Sequence, residues 1–278
     1  MQDILTDIIA HKRVEVERMK QAIPTMELER RIEEKALPPC RSMKQALLAS
    51  PTSIIAEFKR RSPSKGWIQR EADPSVIAPA YERAGASALS VLTDEAYFGG
   101  TWADLRTART CTALPLLRKD FIIDAYQLLQ ARLGGADAVL LIAACLPQED
   151  CARLLTQAHR LGLEVLLEIH SAEELAYAAL NPDMLGVNNR HLGSFRTDVR
   201  HSFAMAEALQ NFANASADLC LVSESGISHP ETVRRLRAEG FRGFLMGECF
   251  MKTDAPGDTL SAFLHAITEK DGKEEIPD

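Results

Sequence analysis

An α/β fold, a (β/α)8 barrel behind an N-terminal helical extension, is what three features of this sequence predict. Eight short apolar, often β-branched runs follow one another from residue 53 onward: SIIAEFK, ALSVLT, PLLRKD, AVLLIA, EVLLEI, MLGVNN, LCLVSES and GFLMGE. Their spacing of roughly 20 to 36 residues leaves room for a helix in every gap, as repeated β-α units require. No G-x-G-x-x-G turn follows the first run, so a closed barrel fits better than an open doubly wound sheet. Runs that are apolar nearly throughout imply strands buried on both faces, and hence parallel pairing. Residues 51–278 are read as one TIM barrel and residues 1–50 as an extension packed on it, with no linker or composition shift to mark a second domain.

Ahead of the barrel, Ile4, Leu5, Ile8, Ile9, Val16 and Met19 recur at helical spacing, and 26–35 and 42–49 read as two short helices. Two placements suit this preface: capping one end of the barrel, or covering its catalytic mouth. Between the strands, 74–84, 147–161 and 230–239 are the clearest helical segments.

Composition closes off several function classes. Hydrophobic residues make up 46% and charged residues 26%, ordinary proportions for a globular chain. With 32 basic against 39 acidic residues the net charge is -7, so no nucleic-acid-binding surface is expected, while a local basic pocket remains compatible. The six cysteines (Cys40, Cys111, Cys145, Cys151, Cys220 and Cys249) form no C-x-x-C pair, and several lie in apolar runs, as reduced core thiols do. A reducing, cytoplasmic location is the expectation. The opening MQDILTDIIAHKRVEVERMK carries charges throughout, unlike an export signal, and the longest apolar run, AVLLIAACL, is far below the ~18 residues of a membrane span.

In a barrel of this kind the catalytic face lies at the C-terminal strand ends, so polar residues closing apolar runs are informative. Glu57 and Lys59 close the first strand, Lys119 and Asp120 the third, Glu168 the fifth, Asn188 and Asn189 the sixth, and residues 223–225 the seventh. Residues i and i+2 of a strand share a face, so Glu57 and Lys59 can both look into the mouth. Each position alone is equally a solvated strand end or a structural ion pair. Two lysines and two glutamates converging on one rim are harder to explain that way, because confinement shifts their pKa values toward acid and base work.

Gly226 and Gly247 end strands seven and eight, where many barrels hold a phosphate through backbone N–H groups. The plain alternative is two turn glycines. Ser62, Ser64 and Gly66 in RSPSKG read as a mobile loop able to fold over a ligand. Phe98 and Phe121, each just beyond a strand end, are better stacking candidates than Trp67 and Trp102. His170 follows Glu168 by two, but the histidines have no H-E-x-x-H spacing and no metal site is expected.

Six segments in order resemble the indole-3-glycerol phosphate synthase family: IIAEFKRRSPSKG at 54–66, SVLTDEAYFGG at 90–100, LLRKDFIIDAYQ at 116–127, LLEIHS at 166–171, GVNNRHL at 186–192 and SESGI at 223–227. The likeness runs from the helical preface to the last strand. It implies ring closure of 1-(2-carboxyphenylamino)-1-deoxyribulose 5-phosphate to indole-3-glycerol phosphate, with loss of carbon dioxide and water and with no metal or organic cofactor. The resemblance makes Lys119 the general acid on the ribulose carbonyl and Glu168 the base of the dehydration. Lys59 falls near the substrate carboxylate, and Glu57 and Asn188 orient the reacting groups. Ser62 and Arg190 match positions that hold the anthranilate part, and Phe98 and Phe121 wall its ring. Ser225, Gly226, Gly247 and Glu248 match the phosphate site. A lysine beside another cation in a partly dry pocket is expected to have its pKa lowered toward neutrality.

Two departures from the family pattern stand out. Ala125 replaces a common proline, which should touch only the start of that helix. Glu248 stands where some members have serine, so its carboxylate must point away from a bound phosphate. About thirty residues follow strand eight, too few for a second barrel. The expected partner is a small anionic phosphosugar, and the expected assembly a monomer or a weakly self-associating one. The rival readings are another phosphate-binding barrel, such as a phosphoribosyl isomerase or a tryptophan synthase α-type lyase, and a non-catalytic barrel that binds a phosphorylated ligand.

Overall fold

The computed structural model describes residues 4–191, 196–215 and 219–269. All eight expected runs form strands: β1 (Ile54–Phe58), β2 (Ala88–Leu92), β3 (Leu116–Lys119), β4 (Ala138–Ile142), β5 (Glu164–Ile169), β6 (Met184–Asn188), β7 (Cys220–Glu224) and β8 (Gly243–Met246). They pair in parallel, each with its sequence neighbours, and β8 closes on β1. The result is a TIM barrel. Its strands are buried almost throughout, as their continuous apolar character requires.

Helices fill most of the gaps: α4 (Pro74–Ala84), α5 (Glu95–Phe98), α6 (Trp102–Cys111), α7 (Ala125–Gly134), α8 (Gln148–Arg160), α9 (Arg200–Ala215), α10 (Pro230–Ala238), α11 (Glu248–Met251) and α12 (Pro256–Thr268). Proline begins α4, α10 and α12, where its missing N–H has no intrahelical partner to lose. The shortest gap, between β5 and β6, holds a 3-10 helix, Ala172–Leu180, in place of a full α-helix. At Ala125 the start of α7 is secured without proline: Asp124 accepts from the Tyr126 amide at 2.8 Å, and Gln127 reaches back to the Asp124 amide at 3.2 Å.

The extension does two jobs. It contains α1 (Ile4–Ala22), α2 (Thr25–Glu34) and α3 (Met43–Ala49). Met43 and Leu47 of α3 are fully buried against Ile55, Leu117, Val222 and other inward-facing strand residues, plugging the barrel at its N-terminal end. Ser42 caps α3, accepting from the Gln45 amide at 3.0 Å, and donates to Glu164 at the start of β5. At the opposite end, Ile4, Leu5 and Ile8 of α1 line the catalytic mouth. Between them, α2 packs on α7 through Leu28 and Tyr126. The two placements open at the sequence level are both realised, by different helices. The outer limits of the expected division, residues 1–3 and 270–278, lie outside the described residues.

Candidate active site

The strand register sets the floor of the mouth. Leu92 pairs with Lys119, Glu168 with Gly186, and Asn188 with Glu224, so charged residues from different strands reach one level of the barrel. Above them is a cavity of about 610 Å³, lined by every site residue expected from the sequence: Glu57, Lys59, Ser62, Phe98, Lys119, Phe121, Glu168, Asn188, Arg190, Ser225, Gly226, Gly247 and Glu248.

Glu57 and Lys59 share a face, with Lys59 Nζ 2.5 Å from Glu57 Oε1. Burial alone would push the Glu57 carboxyl up, but Lys59 and Lys119 hold it below the usual range. Glycine at 247 makes room for this pair. A Cβ there would sit 2.8 Å from both Cβ and Oε1 of Glu57. The backbone at Gly247 has φ -139, so the residue serves close approach rather than a turn.

Lys119 is the centre of charge. Its Nζ lies 3.4 Å from Glu168 Oε2 and 3.5 Å from Glu224 Oε2. The expected lowering of its pKa does not occur: burial works against the ammonium, but Glu168, Glu224 and Glu57 outweigh it and raise the pKa. Three carboxylates, not the second lysine, dominate its surroundings. The carboxyl groups of Glu168 and Glu224 are shifted in opposite directions. Burial opposes ionisation of both, yet Lys119, His170 and Asn188 stabilise Glu168 as an anion and hold it far below its ordinary range. Burial and the neighbouring Glu168 push the Glu224 carboxyl well above it.

Sequence reasoning passed over Glu224, although it lies inside the SESGI segment and closes a strand like the others. Two signals mark it: the strand-end position, and Gly186 opposite, where a Cβ would meet Glu224 Oε1 at 2.3 Å. Asn189, also at the end of strand six, is structural. It is buried and ties Ser223, Ser225 and Ser202 together.

The rim closes over this centre. The 60–67 segment forms a small antiparallel ribbon, Arg61–Ser62 against Gly66–Trp67, braced by Arg60 on Asp104 at 2.5 and 2.8 Å. Ser64 at its turn accepts from Arg190 Nη1 at 2.6 Å, linking the ribbon across the mouth to the end of β6. Phe98 and Phe121 face each other at 6.1 Å with a 40° tilt. Ser225 and Gly226 have positive φ, 67° and 76°, and turn the chain at the end of β7. Glu248 points to the cations of the rim, 3.8 Å from Arg190 and 4.0 Å from Lys65.

A buried charge cluster supports the Lys119–Asp120–Phe121 corner from outside. Lys12 of α1 places its Nζ 2.8 Å from Asp94, 3.0 Å from Asp120 and 2.7 Å from Glu15. Arg118 reaches Asp120 at 2.9 Å, and Thr93 donates to it at 2.6 Å. Trp67 is half-exposed between Arg61 and Arg70, and Trp102 lies under Arg118, so neither faces the cavity. Among the described residues no group of three or more His, Cys, Asp or Glu side chains is arranged to hold a metal ion. No described helix is long and apolar enough to cross a membrane.

Fold and mouth together define a (β/α)8 barrel whose mouth gathers two lysines and three glutamates. The sequence profile of indole-3-glycerol phosphate synthase matches residues 5–263. An indole-3-glycerol phosphate synthase from Bacteroides thetaiotaomicron is 61% identical over 267 residues, covering 96% of this chain and all of the relative. Proteins of the same name from an Azoarcus species and from Rhodopirellula baltica are each 43% identical, covering 94% and 90% of this chain and 99% and 94% of their own. The chain belongs to the indole-3-glycerol phosphate synthase family.

Proposed function

We propose that this protein closes the indole ring of tryptophan biosynthesis, acting as a carboxy-lyase on 1-(2-carboxyphenylamino)-1-deoxyribulose 5-phosphate to give indole-3-glycerol phosphate, carbon dioxide and water. The observation that carries this is the placement of Lys119 Nζ 3.4 Å from Glu168 and 3.5 Å from Glu224, two buried carboxyl groups whose pKa values are pushed in opposite directions. Such a centre both donates and accepts protons in one turnover.

Lys119, kept charged, protonates the ribulose carbonyl as the aromatic carbon attacks it. Glu168, already an anion, takes the proton released during dehydration. Glu224, its carboxyl held above the ordinary range 3.5 Å from Lys119, is placed to recharge it. Lys59 faces the substrate carboxylate, held in place by Glu57, and Asn188 steadies Glu168. Phe98 and Phe121 wall the anthranilate ring, with Ser62 and Arg190 at its edge. The phosphate rests on the backbone at Ser225, Gly226 and Gly247, while Glu248 is kept from it by Arg190 and Lys65. Local cations at the rim also explain how an acidic chain attracts a substrate with a carboxylate and a phosphate. Side chains supply the acid and base that each step needs, so no metal or organic cofactor enters the scheme. The extension of residues 1–50 and the barrel act as one cytoplasmic unit, a monomer or a weak self-associate.

The test is conversion of the carboxyphenylamino substrate to an indole-fluorescent product, with and without EDTA. Lys119→Ala should lower kcat by about 10²-fold or more while product binding is largely kept. No indole fluorescence from the folded protein would refute the activity. A loss below about tenfold in Lys119→Ala would remove the general-acid assignment.

A further inference from the structure

The proposed reaction leaves the site one proton short in each turnover. Two protons end on the ketone oxygen, which departs as water, and one returns when the ring loses its last proton. A carboxylate meanwhile leaves as neutral carbon dioxide. The missing proton has to come from solvent, yet the side chains of Glu168 and Glu224 are 3% and 1% exposed and that of Lys119 only 15%.

His170 offers a way in. It follows β5 directly and does not line the cavity, so it does not meet the substrate. Its Nε2 lies 3.1 Å from Glu168 Oε1, the oxygen not used by Lys119. Its Nδ1 lies 3.9 Å from Glu174 Oε2, within reach of a small ring rotation or one water. Both ring nitrogens are buried without a hydrogen bond of good geometry among the described residues, which leaves the two carboxylates as their partners, and the side chain is 9% exposed. Glu174 is held in place by the His170 amide at 2.6 Å and is 18% exposed, so it reaches the surface. His201 of α9 is near enough for the His170 backbone and ring to influence its own pKa, which burial lowers. Lys119, Glu224 and Asn188 face Glu168 from the barrel side.

We propose that His170 is a positioning residue that brings protons from the surface to the buried acid–base centre through Glu168. His170 takes a proton at Nδ1 from the Glu174 side and gives the Nε2 proton to Glu168 Oε1; exchange with solvent restores the starting tautomer. Imidazole suits this because it gains and loses protons near neutral pH and has a nitrogen for each side. The inference rests on Glu168 being the base.

Three variants test it by steady-state kinetics and imidazole rescue. His170→Asn keeps an amide at the Nδ1 position but cannot pass a proton, His170→Ala opens space for added imidazole, and His170→Gln, whose amide reaches the Nε2 position facing Glu168, serves if the Asn variant does not fold. We expect kcat to fall about fivefold or more in His170→Asn with KM within about twofold, and imidazole to raise kcat of His170→Ala saturably. A His170→Asn enzyme with near wild-type kcat, or His170→Ala indifferent to imidazole, overturns the relay. Glu168→Gln separates the two readings. If it retains full activity, the base assignment itself falls, whereas an inactive Glu168→Gln beside a fully active His170→Asn removes only the relay.

Discussion

Replacing Lys12 by methionine tests whether charge locks the extension onto the barrel. Methionine keeps the unbranched stem and much of the volume while removing the ammonium. Lys12 is 1% exposed and holds Asp94, Asp120 and Glu15 within 3.0 Å. Asp120 would retain Arg118 at 2.9 Å. Asp94 would keep only the Tyr97 amide, on its other oxygen, and one buried carboxylate oxygen would lose its cation. Breaking a buried ion pair by removing one partner costs about 3–5 kcal/mol. At about 2–4 °C per kcal/mol for a chain of this size, Tm should fall by about 6–20 °C. The acid side of the stability curve gives a second reading. Burial opposes the Asp120 carboxylate, but Arg118 and Lys12 bring it from its ordinary 3.8 down to about 2. A carboxylate depressed on folding contributes stability that is complete above pH about 4 and lost as pH falls toward about 2. The variant should lose part of that contribution, so its acid limb is shallower. Circular-dichroism melts from pH 7 to pH 3 measure both effects. A Tm within about 2 °C of wild type, with an unchanged acid limb, would refute the lock.

Two further changes probe the floor of the mouth. In Gly247→Ala the new Cβ starts 2.8 Å from Glu57, where ordinary contact begins at 3.4 Å, so Glu57 must shift by about 0.6 Å. A misplacement of about 1 Å in a catalytic constellation can cost ~10²-fold, and a drop in kcat of about tenfold or more is expected; unchanged kcat would show that the Glu57–Lys59 geometry does not matter. Glu224→Gln removes a carboxyl that burial and Glu168 hold above its ordinary pKa. Such a group makes the folded state bind more protons than the unfolded, so wild-type stability declines as pH rises from about 4.5 toward its folded value. The variant should lose that decline and melt higher at pH 8, while kcat falls because Lys119 loses a titratable neighbour. A variant that melts lower at pH 8 than wild type contradicts the raised pKa of Glu224.

Much of this molecule is legible in its amino-acid sequence. Hydrophobic runs and their spacing set the eight strands, because a strand buried on both faces has to be apolar along its length. The polar residues closing those runs mark the mouth, and the i, i+2 rule places Glu57 beside Lys59 without any tertiary information. Glu224 is harder to see because a single acidic letter among serines looks like a solvated strand end. Only the neighbouring strand, with a glycine where its side chain needs space, shows that it points inward. His170 is hidden for the opposite reason. Its spacing matches no metal motif, and its relevance depends on which oxygen of Glu168 it approaches.

The sequence by itself determined the strands, the barrel and most of the charged residues at its mouth, Glu224 excepted, since these follow from local periodicity and composition. Tertiary structure alone decided what those charges do to one another. The pKa of Lys119 turns on how many carboxylates surround it, and three of them from strands β1, β5 and β7 raise what a second lysine was expected to lower. The same holds for the extension, whose helices look alike in sequence but close opposite ends of the barrel. Electrostatic energy depends on distances through space, and those distances join residues that the chain separates by about fifty to about a hundred positions.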